Sequence, residues 1–195
     1  MTTSVKDRLF IAGAQLFAGK GFDSVSVREI CKAADTSMNM IHHYFGSKEG
    51  LYDAIVATFT EKVFAYPVRL LDKEVRSKEE FITRTELFVE ETLNALIDQR
   101  LVLHIVMRHE IEPTAFVSLL QKFVAFLKAA QVKGYVRSSI DPEMISGFVM
   151  DRLGNQVLFA QQIKGGSGYD IIDDTDYRSR WVKANIDLFL FGLSA

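Results

Sequence analysis

Cysteine occurs once in the 195 residues, as Cys31, so no disulfide can form within the chain. A lone thiol suits a reducing compartment. Three prolines and twelve glycines are too few for a collagen-like or Pro/Gly-rich disordered chain. Long apolar runs are missing too. The longest stretch without Asp, Glu, Lys or Arg is twelve residues, Thr36 to Ser47, and it is rich in polar groups. A spanning helix needs about 20 mostly apolar residues, so no membrane segment is expected. The opening MTTSVKDRLF lacks the charged, apolar and small-residue layout of a secretory signal. The expected location is the cytoplasm. An excess of one charge is also lacking, with 23 Lys and Arg against 25 Asp and Glu, a net charge of −2. Residues 1–50 carry six basic and five acidic side chains, +1, which leaves −3 for the remainder. Charge alone does not point to nucleic acid.

What is present is ordinary globular material: 48% hydrophobic, 11% aromatic and 25% charged residues. A chain of this length buries about 70% of the surface its unfolded form exposes. It fits one large domain, or a small one fused to a larger. Apolar residues recur at helical spacing, and no run alternates for the length of a strand. The pattern predicts an all-α protein of about nine helices without internal repeats. The first covers Val5 to Gly19, with Leu9, Gly13, Leu16 and Phe17 on one face and a stop at Gly21. Short helices follow at Ser26–Ala34 and Ser37–Tyr44, each opened by a capping serine. A long one runs from Ser47 to about Ala65, ahead of Pro67.

Beyond Pro67 the helices are long. Ser77-Lys-Glu-Glu80 reads as a capping box in which Glu80 reaches back to the Ser77 amide, starting a helix to Asp98. Arg100–Glu112 is stopped by Pro113, and Thr114 caps a helix ending at Gly134. Asp141-Pro142 gives a cap and a first-turn proline for a helix to about Ile163. Gly165-Gly-Ser-Gly168 reads as a flexible loop, and Tyr177–Phe191 is the last helix.

Three short helices ahead of long ones make a helix-turn-helix unit on a helical body. Ser26–Ala34 and Ser37–Tyr44 form the pair, with Asp35-Thr36 as the turn, and the second helix is placed to enter a major groove. Its leading face presents Met38, Asn39 and His42. Asparagine pairs bidentately with adenine, and methionine can contact a thymine methyl. The hydroxyls of Ser26, Ser37 and Tyr44, with Lys48, are candidates for phosphate oxygens. Arg28 either reaches DNA or, with Lys32 one turn on, solvates its face.

The segment from Leu16 to Ala34, LFAGKGFDSVSVREICKAA, and that from Ser37 to Leu51, ending YFGSKEGL, closely resemble the tetracycline-repressor (TetR) family of bacterial transcriptional regulators. The resemblance covers about the first 52 residues. It implies a three-helix DNA-binding domain, 1–48, and a larger domain, 49–195, that holds a small-molecule pocket and dimerises through its last two long helices. The chain departs from the family's usual pattern at four positions. Asp35 stands where glycine is common, and it tolerates a left-handed backbone better than most residues. His42 stands where tyrosine is usual, Met38 where lysine is frequent and Asn39 where glycine is.

Plainer roles fit several neighbours. His42 and His43 project about 100° apart on a helix, so they cannot serve one metal, and His43 is expected to pack against other helices. Cys31 is expected to be a buried, inert thiol, Phe45 core and Tyr44 partly exposed. In the larger domain, polar groups interrupt apolar helices at His104, Arg108, Asp151, Asn155 and Gln156, with a further pair at His109 and Glu112. One reading is an apolar effector cavity with orienting polar groups, lined by His104, Met107, Arg108, Phe148, Asp151 and Asn155. The other is interhelical hydrogen bonds, dimer contacts or exposed faces. No third ligand accompanies His109 and Glu112, so no metal is expected, and no cofactor.

Ile145, Phe148, Val149 and Arg152, with Trp181, Ile186, Phe189 and Leu190, are candidates for a homodimer face. The alternative buries them within the monomer. No phosphate-binding glycine motif, nucleophile elbow or metal-spaced Cys/His set suggests an enzyme. The expected function is a homodimeric repressor released from a pseudo-palindromic DNA operator by a small, largely apolar effector. The alternative is a small-molecule-binding helical protein whose DNA binding is lost or needs a co-ligand.

Overall fold

The computed structural model describes residues 4–108 and 114–192. His109, Glu112 and Pro113 lie outside the described residues, as do the side chains of Arg108 and Thr114. The described residues form ten helices and no strand. They gather into two compact units, Met1–Glu61 with Gln99–Pro113, and Lys62–Asp98 with Thr114–Ala195. Among the described residues, no helix is long and apolar enough to cross a membrane.

In the first unit, α1 (Val5–Lys20) starts at Ser4, whose hydroxyl accepts the Asp7 amide at 3.1 Å. It stops where Gly21 turns to φ 83°. Leu9, Ala12, Gly13 and Phe17 form its buried stripe. Burying a side chain such as Phe17 stabilises by about 1.5–3 kcal/mol. Gly13 belongs to that stripe because a β-carbon there would stand 2.8 Å from Leu51 Cδ2. α2 (Val27–Ala33) and α3 (Asn39–Phe45) pack on α1, as does α6 (Arg100–Arg108). Val102, Leu103, Ile105 and Val106 supply the buried side of α6.

α4 (Lys48–Leu71) begins in the first unit and ends in the second. It does not stop before Pro67, as the sequence suggested, but carries the proline inside. An interior proline costs about 3 kcal/mol through its missing N–H and ring clash. Here Val63, Phe64, Pro67 and Leu71 are all buried on one stripe, so packing outweighs the loss. The Arg84 guanidinium donates to the Leu70 carbonyl at the helix end, satisfying an acceptor the helix itself leaves open.

The second unit contains α5 (Lys78–Asp98), α7 (Thr114–Val132), α8 (Pro142–Leu158), α9 (Ala160–Ser167) and α10 (Thr175–Phe191). α5 packs on α8 and α10, and α7 on α8. Phenylalanines fill the core, with Phe88 and Phe123 ring centres 4.6 Å apart and Phe81 stacked on Phe126 at 5.4 Å. Ser77 caps α5 through the Glu80 amide, 3.1 Å, but the Glu80 carboxylate accepts from the Arg76 amide, not from that of Ser77. The box therefore closes one residue further out than expected. Asp141 caps α8 through the Met144 amide at 3.1 Å, with Pro142 in the first turn, as its sequence predicts.

Two expectations fail near the C-terminus. The helix reaching Ile163 is broken at Phe159, which turns to φ −102°, ψ 19°. The supposed loop Gly165-Gly-Ser-Gly168 is the last turn of α9, ended by Gly168 at φ 77°. The Ser167 hydroxyl donates back to the Ile163 carbonyl at 2.7 Å, which supports a helical turn that two glycines would weaken.

Candidate functional site

The turn between α2 and α3 is built by neighbours on both sides. Ser26 caps α2 in a reciprocal box: its hydroxyl accepts the Glu29 amide at 3.2 Å, and its own amide donates to the Glu29 carboxylate at 2.9 Å. Lys20 closes on the same carboxylate at 2.9 Å. These donors, the Lys20 ammonium first, hold the Glu29 pKa down at about 2. Asp35 takes the left-handed conformation, φ 48°, that the sequence required of this position. The Arg8 side chain reaches across from α1 to donate to the Ala34 carbonyl at 2.9 Å.

α3 is thus presented with one side inward. Ile41 is buried and Phe45 half-buried, while Met38, Asn39, His42 and His43 form an exposed stripe. Met38 is 58% exposed. His43 is exposed, not packed as expected, because it lies about 200° around the helix from the buried Ile41. Its ring meets Tyr44 edge-on, 4.8 Å between centres. Tyr44 is partly exposed, as its aromatic ending suggested. The capping serine of α3 is a second correction. Met38 is the N-cap and makes no side-chain cap, and Ser37 contributes its carbonyl, which accepts the Met40 amide at 3.1 Å.

Other candidate contacts differ in how far their polar groups are engaged. Arg28 and Lys32 extend from α2 into solvent. The Ser26 hydroxyl donates to Glu29 at 2.8 Å. The Lys48 ammonium donates to the carbonyls of Phe22 and Val25, at 3.0 and 3.1 Å, and sits 4.0 Å above the Phe22 ring centre. Cys31 is buried, and burial pushes its thiol pKa up, as befits an inert packing residue.

Residues 9–55 match the family model of bacterial regulatory proteins of the tetR family. Over 61 residues, 31% of the chain, the sequence is 43% identical to the probable HTH-type transcriptional regulator YttP of Bacillus subtilis, covering 30% of that protein. Over 157 residues, 75% of the chain and 76% of the relative, it is 29% identical to the HTH-type transcriptional regulator UidR of Escherichia coli. The solved ketosteroid transcriptional regulator KstR2 of Mycobacterium tuberculosis shares the whole fold, with a TM-score of 0.77 at 18% identity, over 100% of this chain and 97% of that one. The chain carries a tetR-family DNA-binding segment over residues 9–55. It is a helix-turn-helix, DNA-binding transcriptional regulator.

The helical body carries the other candidates. Phe148, Asp151 and Asn155 of α8 line one shallow hollow, with Arg152, Phe159 and Leu188. His104 and Met107 are exposed on α6, in the other unit. Of the expected dimer residues, Phe148 and Arg152 are exposed, Phe189 and Leu190 are half-buried, and Val149, Trp181 and Ile186 are buried inside the monomer. Arg152 bridges the two helices, with its Nε donating to the Asn185 oxygen and its guanidinium 5.5 Å from the Trp181 ring. Asn185 is itself buried and donates to the Trp181 carbonyl at 2.7 Å.

Sequence reasoning missed a partly open cavity of about 320 Å³ lined by α5, α7, α8, α10 and the 134–140 connection. Phe81, Thr85, Phe123, Val149 and Phe189 are among its walls. The available signal was a stripe on α5. Lys78, Phe81, Ile82, Thr85 and Val89 recur at helical spacing and all line the cavity.

Proposed function

We propose that this regulator is a homodimeric repressor that works in the cytoplasm, holds a pseudo-palindromic operator and releases it when a small, largely apolar effector binds. The observation that carries the DNA reading is the exposed stripe on α3, where Met38, Asn39 and His42 stand out from a helix anchored by Ile41. Asn39 would read adenine and Met38 a thymine methyl, with His42 beside them. Ser26, Arg28, Ser37, Tyr44 and Lys48 would hold the phosphates on either side. The DNA-binding domain is residues 1–48, and 49–195 binds effector and partner.

A second copy would pack on α8 and α10. Phe148, Phe159 and Phe191 are more than half exposed there, at 55%, 51% and 52%. A two-fold axis through such a face makes an isologous interface and matches a palindromic site. The effector would occupy the cavity beside α5, whose size falls within the usual range for small-molecule sites. Effector binding shifts DNA affinity only by favouring one conformation, with a coupling of typically about 1–3 kcal/mol. α4, shared by both units, supports that coupling. No step here requires chemistry by the protein.

Selection of sites from random duplex DNA at two salt concentrations tests this. One enriched pseudo-palindrome that survives moderate salt and is lost in an Asn39→Ala/His42→Ala variant is the expected result. No enrichment from a folded dimer at either salt would overturn it in favour of a small-molecule-binding protein without its own DNA function.

A further inference from the structure

The walls of the cavity beside α5 are polar at a few points, and most of those points are already engaged. The Thr85 hydroxyl donates to the Phe81 carbonyl at 2.8 Å, and the Tyr135 hydroxyl to the Arg76 carbonyl at 3.3 Å. What remains is charged and of one sign. Lys78 and Arg137 belong to the lining, and among the described residues no carboxylate does. Neither the Lys78 ammonium nor the Arg137 guanidinium makes a hydrogen bond or ion pair among the described residues. Two other cations packed near this cavity are engaged, Lys133 with Glu74 at 2.7 Å and Arg84 with the Leu70 carbonyl.

Both unpaired cations stand on fixed backbone. Lys78 opens α5 directly after the capping Ser77. The Arg137 carbonyl accepts from the Gln131 side chain at 3.0 Å and from the Ile140 amide at 3.1 Å, which ties down the 134–140 connection. Both residues are exposed, whereas Phe81 and Phe123 of the same lining are buried. The site is therefore apolar within and cationic at its rim.

We propose that this cavity takes an anionic amphiphile, with an apolar body buried among Phe81, Phe123 and Val149 and an acidic head held by Arg137 and Lys78. The assignment rests on the effector reading above and gives that effector a chemical class. A volume of about 320 Å³ holds roughly ten groups of water size, at ~30 Å³ each. A body of about ten heavy atoms fits. A planar guanidinium suits a carboxylate or a phosphate in two-pronged contact, and a lysine adds a point charge. A neutral head would leave the two cations without a partner, and a cationic one would be repelled.

Calorimetric titration of the full-length protein, below the micelle threshold, separates the cases with four probes: decanoate, decyl phosphate, decanamide and decyltrimethylammonium. Both anions are expected to bind, each about tenfold or more tighter than decanamide, with the ammonium weakest. Preference between decanoate and decyl phosphate tells a carboxylate head from a phosphate one. The Arg137→Gln/Lys78→Gln variant, altered only at exposed side chains, is expected to erase the anion advantage and leave decanamide binding unchanged. Decanamide binding as well as decanoate and competing with it would overturn the acidic-head assignment while leaving an apolar effector cavity in place. An anion advantage that survives the double substitution overturns the assignment too. No binding by any probe would remove the assignment and the cavity's effector role together.

Discussion

The Nδ1 of His42 lies 2.6 Å from the carbonyl oxygen of Gly46, one turn further along α3. A carbonyl only accepts, so Nδ1 carries the proton, and in that tautomer Nε2 is the ring's acceptor. Two groups in the major groove suit that acceptor, the amino groups of adenine and cytosine. His42→Ala is therefore expected to weaken binding to the selected operator by about 1–3 kcal/mol and to relax the preference at one base pair per half-site. The slope of log K against log salt should not change, because no phosphate contact is lost. A slope that falls by about one would identify a phosphate contact instead.

The cap of α2 predicts a pH dependence. Glu29 accepts from Lys20 and from the Ser26 amide and hydroxyl, which lowers its pKa from an ordinary 4.5 to about 2. A carboxylate whose folded pKa is depressed adds stability above its unfolded pKa and loses it as pH falls toward the folded one. The contribution should be complete above pH 4.5 and fade between there and about pH 2. Urea unfolding should find Glu29→Gln less stable than the parent at pH 6, with the gap closing at pH 2. High salt should narrow the gap at pH 6, since Lys20 and Glu29 are both solvent-facing.

The helix-turn-helix was legible because its signals are local. A serine three residues before a glutamate, a residue able to take φ 48° at Asp35 and a glycine stop at Gly21 each act within a few residues. What was not legible depends on packing partners distant in sequence. Pro67 sits inside α4 because Val63, Phe64 and Leu71 share its buried stripe. His43 is exposed because Ile41 sets which side of α3 turns inward. Trp181 and Val149 read as an interface stripe from periodicity alone, and the same periodicity serves a monomer core. The cavity escaped notice since its charged members, Lys78 and Arg137, are 59 residues apart and meet only through the packing of α5 with its neighbours.

Gly50 holds the recognition helix at its distance from α4. A β-carbon there would stand 2.0 Å from the Phe45 carbonyl oxygen, a backbone atom that no rotamer change can move. Gly50→Ala is expected to destabilise by about 1–3 kcal/mol, or more, as other overpacked sites do. Operator binding should fall with it, because relief requires shifting the end of α3. Gly19→Ala is the control. A β-carbon at Gly19 meets nothing within 4 Å, in a helical segment, so stability should rise by about 0.4–1 kcal/mol. Equal effects of the two substitutions in urea titration would show that the α3–α4 approach is not constrained at Gly50.

Lys48 has two candidate jobs that separate experimentally. Its ammonium donates to the Phe22 and Val25 carbonyls and lies over the Phe22 ring, which itself packs on Tyr52 with centres 5.0 Å apart. It therefore pins the segment that delivers Ser26 to the start of α2. Removing it leaves two carbonyls to water and strips a cation from a ring, an expected loss of about 1–3 kcal/mol in stability. Lys48→Met should lose less than Lys48→Ala, because its stem keeps covering Phe22. An ammonium has three donors, and two are engaged, so the third is left for a phosphate. If it makes that contact, the salt slope of operator binding falls by about 0.9 in both variants, measured where each is still folded. A slope unchanged from the parent would make Lys48 a structural pin alone, with the DNA affinity lost in proportion to the stability lost.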